Sequence, residues 1–133
     1  MAEETETLAV AEQHAPDAPW AATVTKYKRP NLAKSCWQVA TTVPPFFALW
    51  WLMYLSLSWS YWLTLILAVP TAGFLVRIFI IQHDCGHHSF FRSRAANDWL
   101  GMFCGVLTLT PYHLWRRSHA RHHVSSGNLT HRG

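Results

Sequence analysis

Carboxylates are scarce along most of this 133-residue chain. Four Glu (Glu3, Glu4, Glu6, Glu12) and Asp17 lie in the first 17 positions, and only Asp84 and Asp98 follow. That scarcity removes two families of metal chemistry. A zincin H-E-x-x-H needs its Glu as general base, whereas here His83 is followed by Asp84, whose shorter arm holds the carboxylate in the wrong place for water activation. A carboxylate-bridged di-iron bundle draws Glu from several helices, and no Glu follows Glu12. Cysteine is equally thin. Cys36, Cys85 and Cys104 form an odd set with no C-x-x-C pair, which excludes a disulfide framework and a thiolate zinc site and points to a reducing compartment or to burial. The acidic N-terminus has neither a basic n-region nor an early apolar run, so no cleaved signal or transit peptide is expected.

Charge of either sign is missing from Val39 to Leu57. At about 1.5 Å rise per residue, such a stretch crosses a hydrocarbon core of about 30 Å. Pro44 and Pro45 lie one turn inside it, where missing N–H groups cost least if the ordered helix begins around them. A second crossing is expected over Leu63–Ile81. Between the two lies only Ser58-Trp59-Ser60-Tyr61-Trp62, which suits a tight hairpin at an interfacial aromatic belt. A soluble core is the poorer reading, because so short a chain cannot wrap two such helices. The net charge of +4 and pI near 9.3 then suit a membrane surface and not nucleic acid, since long apolar tracts interrupt the basic residues.

Residues 1–36 read as a mobile tail whose basic end, Lys26, Lys28, Arg29 and Lys34, seeks the lipid surface. Basic residues precede the first crossing and follow the second, while the hairpin has none, so the N-terminus and the His-rich end are both expected on the cytoplasmic side of an integral membrane protein. Arg77 sits about four residues from the inner end of the second crossing and can snorkel. Trp99–Thr110 is too short to span and ends at Pro111, as an interfacial or re-entrant segment would. A helical stretch follows from about Tyr112. The expected architecture is an all-α membrane protein: two transmembrane helices in a hairpin, then cytoplasmic or interfacial helices.

Eight of the nine histidines lie at or after position 83. His83 and His87 are spaced i, i+4, and His119, His122 and His123 are spaced i, i+3, i+4. On a helix each group shares one face. Adjacent His88 would point about 100° away from His87 and serve behind the ligands or in packing. His113 and His131 read as surface or loop residues, and His14 as solvated. Imidazole suits zinc, iron, copper or nickel, so the residues indicate an all-histidine or nearly all-histidine metal site at a membrane face.

His83-Asp84-Cys85-Gly86-His87-His88-Ser89-Phe90-Phe91 and Trp115-Arg116-Arg117-Ser118-His119-Ala120-Arg121-His122-His123 resemble the first and second histidine boxes of the membrane fatty acid desaturases, most like the omega-6 (delta-12) branch. The resemblance implies a di-iron, O2-dependent desaturase domain over residues 37–133. Its ligands would be His83, His87, His119, His122 and His123, with His88 as a further ligand or a group behind them. Asp84 would be a further ligand or would accept an imidazole N–H and fix its tautomer. Arg116, Arg117 and Arg121 would meet lipid phosphate, an acyl carrier or an acidic electron donor, or form a solvated basic face. The substrate would be an acyl lipid or acyl thioester. The donor, such as ferredoxin or cytochrome b5, would be external, since the first 36 residues are too few for a fused haem domain. The family carries a third H-x-x-H-H box, absent here, so these residues are expected to be the N-terminal part of a longer enzyme and inactive alone. Two alternatives remain: a related histidine-box hydroxylase or ketolase, and a non-enzymatic membrane metal-binding protein. The latter needs polar ligands within the bilayer, where Leu63–Ile81 offers only Thr64, Thr71 and Arg77.

Overall fold

The computed structural model describes residues 30–125. Most of the expected tail, with His14, Lys26, Lys28 and Arg29, lies outside them, as do His131 and Arg132. The described residues form five helices and no strand: α1 Leu32–Ala40, α2 Val43–Ser56, α3 Tyr61–Gly86, α4 Arg94–Leu107 and α5 Tyr112–Ser125. Two stretches, Leu32–Ser56 and Tyr61–Gly86, are long and apolar enough to cross a membrane. Only 17% and 22% of their most apolar windows is buried within the protein, which a core helix of a soluble protein would not tolerate.

The first stretch is helical from Leu32, inside the segment expected as tail. Asn31 caps α1 by accepting the Lys34 amide at 3.2 Å, and Ser35 Oγ donates to the Phe90 carbonyl at 2.7 Å, so a long-range bond holds a turn whose polar composition argued for coil. The helix breaks at Thr41–Thr42 and restarts with prolines at the first positions of α2, where the absent N–H groups have no intrahelical partner to lose. Arg77 of α3 reaches this break, its Nη2 donating to Thr41 Oγ1 at 3.5 Å. Residues 57–60 join α2 to α3, and the two helices pack side by side. Ser56 and Thr64 share a hydroxyl hydrogen bond at 2.7 Å, and Thr71 Oγ1 donates to Met53 Sδ at 3.2 Å.

α3 runs five residues past Ile81 and therefore carries His83 on its last turns. It ends by a left-handed cap: His88 has φ 53°, the His88 amide donates to the Cys85 carbonyl at 2.9 Å and the Ser89 amide to Asp84 at 3.1 Å. These bonds satisfy carbonyls that the terminated helix leaves open. α4 ends the same way at Leu109, φ 54°, with Thr110 donating to the Gly105 carbonyl at 2.8 Å. The expected interfacial segment Trp99–Thr110 is thus largely the later part of a helix that starts at Arg94, capped by Ser93. The buried core, including Ile78, Ile81, Cys85, Phe90, Cys104 and Tyr112, gathers where α4 and α5 meet the end of α3.

Candidate metal centre

Glycines decide how α5 reaches α3. The Tyr112 ring lies in a notch formed by Gly101 and Gly105 of α4: a Cβ on Gly101 would sit 2.3 Å from that ring, and one on Gly105 would sit 2.6 Å from the Thr110 carbonyl oxygen. With Tyr112 seated, Trp115 one turn later lies against Gly86, where a Cβ would be 2.8 Å from the indole. Trp115 stacks on His119 at 4.7 Å with 13° between planes and meets His83 edge to face at 5.8 Å. Each step of one helical turn brings the next side chain onto the same face, so Tyr112, Trp115 and His119 deliver α5 to the end of α3.

There the imidazoles converge through their Nε2 atoms. His83 and His87 are 3.3 Å apart, His87 and His119 3.1 Å, and His119 and His123 3.0 Å. The ligand atoms of His83, His87 and His119 all lie within 4.8 Å of one another. An imidazole–metal bond of about 2.1 Å sets neighbouring donors roughly 3.0 to 3.4 Å apart, between right-angled and tetrahedral geometry. The separations along this row match that range, and the donor set is all nitrogen. His83, His87 and His119 group as candidate donors for a transition-metal ion, and His123 adjoins them at His119.

The remaining predicted residues take distinct places. His122 lies outside the group of three convergent ring nitrogens, its ring 6.4 Å from that of His119 and 6.2 Å from that of His123. Asp84 Oδ1 lies 3.2 Å from His83 Nδ1, so the tautomer protonated at Nδ1 donates to the carboxylate and leaves Nε2 free to ligate. Burial lowers the pKa of His87, helped by the neighbouring His83 and His123. Burial likewise lowers that of His119, helped by His123, His83, His87 and His122. Both shifts favour the neutral ring that binds metal. His88 does not continue the helix: its left-handed backbone turns the ring toward Arg116 Nη2, with which its Nε2 is in contact. Arg116 is also paired with Asp98 at 3.1 Å, while Arg117 and Arg121 are exposed on α5. Trp115, Tyr112 and Asp98 escaped the sequence reading, although Trp115 stands four residues before His119 and Gly101 four before Gly105, spacings that mark shared faces.

A profile of the fatty acid desaturase family matches residues 56–132. The chain belongs to the fatty acid desaturase family. It is 53% identical over 110 residues to a fatty acid desaturase of Bacillus subtilis, covering 83% of this chain and 31% of that protein. It is 36% identical over 84 residues to the ferredoxin-type sn-1 acyl-lipid omega-3 desaturase of Synechocystis, covering 63% of this chain and 19% of that protein. An oleoyl-12-hydroxylase of Ricinus communis is 36% identical over 76 residues, covering 57% of this chain and 20% of that protein. The chain thus spans less than a third of the length of these relatives. No solved structure matches it significantly. The family and the two apolar helices together associate the desaturase chain with membranes.

Proposed function

We propose that these residues form the front part of an oxygen-dependent, di-iron fatty acyl desaturase. One observation carries the reading: in a chain of this family, three imidazoles converge, with a fourth beside them, at the end of a membrane-length helix. An unactivated methylene offers no acidic proton and no leaving group, so side-chain acids, bases and nucleophiles have nothing to attack. Iron with O2 supplies the oxidising power when bound.

The chain's own part is to hold and shield. His83, His87 and His119 hold an ion, with His123 beside His119 and His122 on the same helix as further donors. Asp84 orients His83. Trp115 covers the cluster from the side of Phe79, its ring 5.6 Å away, and keeps that flank dry. α2 and α3 form a membrane hairpin that presents the site at the cytoplasmic face. There an acyl lipid or thioester arriving through the bilayer meets an external electron donor of the ferredoxin or cytochrome b5 kind. The ferredoxin-type name of the Synechocystis relative supports that partner class. A di-iron centre needs more donors than this cluster supplies, so these residues alone turn over no substrate. A hydroxylase reading is kept because the Ricinus relative is named for that reaction.

The genomic reading frame containing these residues, expressed with a reductase and followed by mass spectrometry of the host lipids, tests the proposal. A new double bond, lost in His119→Ala, is the expected result. A new hydroxyl selects the hydroxylase, and unchanged lipids with intact metal binding overturn both in favour of a metal-binding protein.

A further inference from the structure

We propose that Asp98, outside both histidine boxes, is a positioning residue that sets the distance at which His119 and His123 face His83 and His87; this rests on the metal-centre reading above. One oxygen, Asp98 Oδ1, accepts from the Tyr112 hydroxyl at 3.1 Å and from Arg116 Nη1 at 3.1 Å. Tyr112 and Arg116 are one turn apart on α5, so a single carboxylate of α4 grips one face of the helix that delivers the second group of imidazoles. Tyr112 is buried against Gly101, whose missing Cβ leaves room for the ring. Arg116 extends the grip through Nη2 to His88, which holds a left-handed backbone at φ 53°. A non-glycine residue there costs about 1–2 kcal/mol, and such strain persists where surrounding contacts enforce it.

Asp98 therefore ties together α4, α5 and the terminus of α3. The ion pair is about one-third exposed on each side, so water screens it less than a surface pair. His119 follows Arg116 by three residues, roughly 4.5 Å along the axis. Slack at Asp98 therefore passes to the imidazole with little loss, and a shift of about 1 Å is enough to spoil a metal site.

The test uses the full chain in detergent micelles, with Cys36→Ser and spin labels on Ile80→Cys and Ala120→Cys, both exposed; Cys85 and Cys104 are buried. Pulsed electron paramagnetic resonance then reads the α3–α5 distance. The parent gives one narrow distribution, Asp98→Ala broadens it, and Asp98→Glu, which keeps the carboxylate, restores much of it. A distribution unchanged in Asp98→Ala overturns the proposal. If circular dichroism shows that Asp98→Ala has lost its helices, Arg116→Gln, which removes the ion pair and the contact to His88 but keeps the Tyr112–Asp98 bond, is judged by the same criterion. Cobalt(II) titration of the unlabelled chain separates the two readings. A parent that binds no cobalt sinks the metal centre while the distance still judges Asp98. In a parent that binds, Asp98→Ala weakens cobalt about 10- to 100-fold.

Discussion

The membrane pair α2–α3 and the rim formed by α4, α5 and the end of α3 obey different rules. Along the pair, large side chains such as Trp50, Trp51, Ile66 and Val69 point outward, and the helices meet through a few small polar contacts. In the proposed membrane setting lipid is the solvent for these outward faces, so they need apolarity more than shape. At the rim the helices interlock. Tyr112 fills a glycine notch, Trp115 packs against Gly86, Asn97 binds both the amide and the carbonyl of Phe91, and the Thr108 hydroxyl donates to Gln82 Oε1 at 2.8 Å. A spanning helix can change many residues and still span, whereas a rim that aims imidazoles to tenths of an ångström cannot change the residues that aim them.

One methyl group at two glycines gives the sharpest contrast. Gly101→Ala drives a Cβ into the Tyr112 ring, and overpacking of this kind costs about 1–3 kcal/mol or more. Gly73→Ala, in the middle of α3, meets nothing within 4 Å and should be neutral or stabilising by up to about 1 kcal/mol through helix propensity. Thermal unfolding in micelles measures both. Equal losses at the two sites would erase the distinction between pair and rim.

Within the rim, histidines of one motif should separate by position. His119 lies between His87 and His123, so His119→Ala should weaken cobalt(II) binding at least as much as loss of a residue behind the ligands, about 10- to 100-fold. His122→Ala, outside the group of three convergent ring nitrogens, should weaken it less. A larger effect at His122 would mean that the motif, and not the convergence in space, identifies the ligands.

How much of this was legible in the sequence follows from the same contrast. The candidate spans announce themselves by missing charge over Val39–Leu57 and Leu63–Ile81, and the imidazole faces by spacings of three and four residues. The boundaries are harder. α3 ends at a left-handed residue, but that residue is His88 and not the glycine that usually signals such a cap, so a helix drawn through His88 looks reasonable until the backbone is seen. Leu32–Cys36 reads as tail because its helix depends on Ser35 reaching Phe90, a contact 55 positions distant. Asp98 and Trp115 carry no motif. Their roles come from packing against Tyr112, Arg116 and Gly86, which a linear pattern does not encode. Arg116 looks like a cation for an outside partner until Asp98 is seen beside it.

The smallest expected effect belongs to the membrane pair. Thr64→Val keeps the shape of the side chain and removes the hydroxyl that meets Ser56 Oγ at 2.7 Å. In water, a buried hydroxyl deprived of its partner would be expensive, but Ser56 Oγ also donates to the Met53 carbonyl at 2.8 Å and so keeps one bond. Hydrogen bonds between membrane helices average only about 0.6 kcal/mol, because the separated helices find other partners. Thr64→Val should therefore lower stability in micelles by roughly that amount and leave cobalt affinity unchanged, since Thr64 lies five turns of α3 before His83, about 28 Å along the axis. A measurable loss of metal binding in Thr64→Val would show that the rim depends on how the two spanning helices are paired, and that the two regions are one mechanical unit.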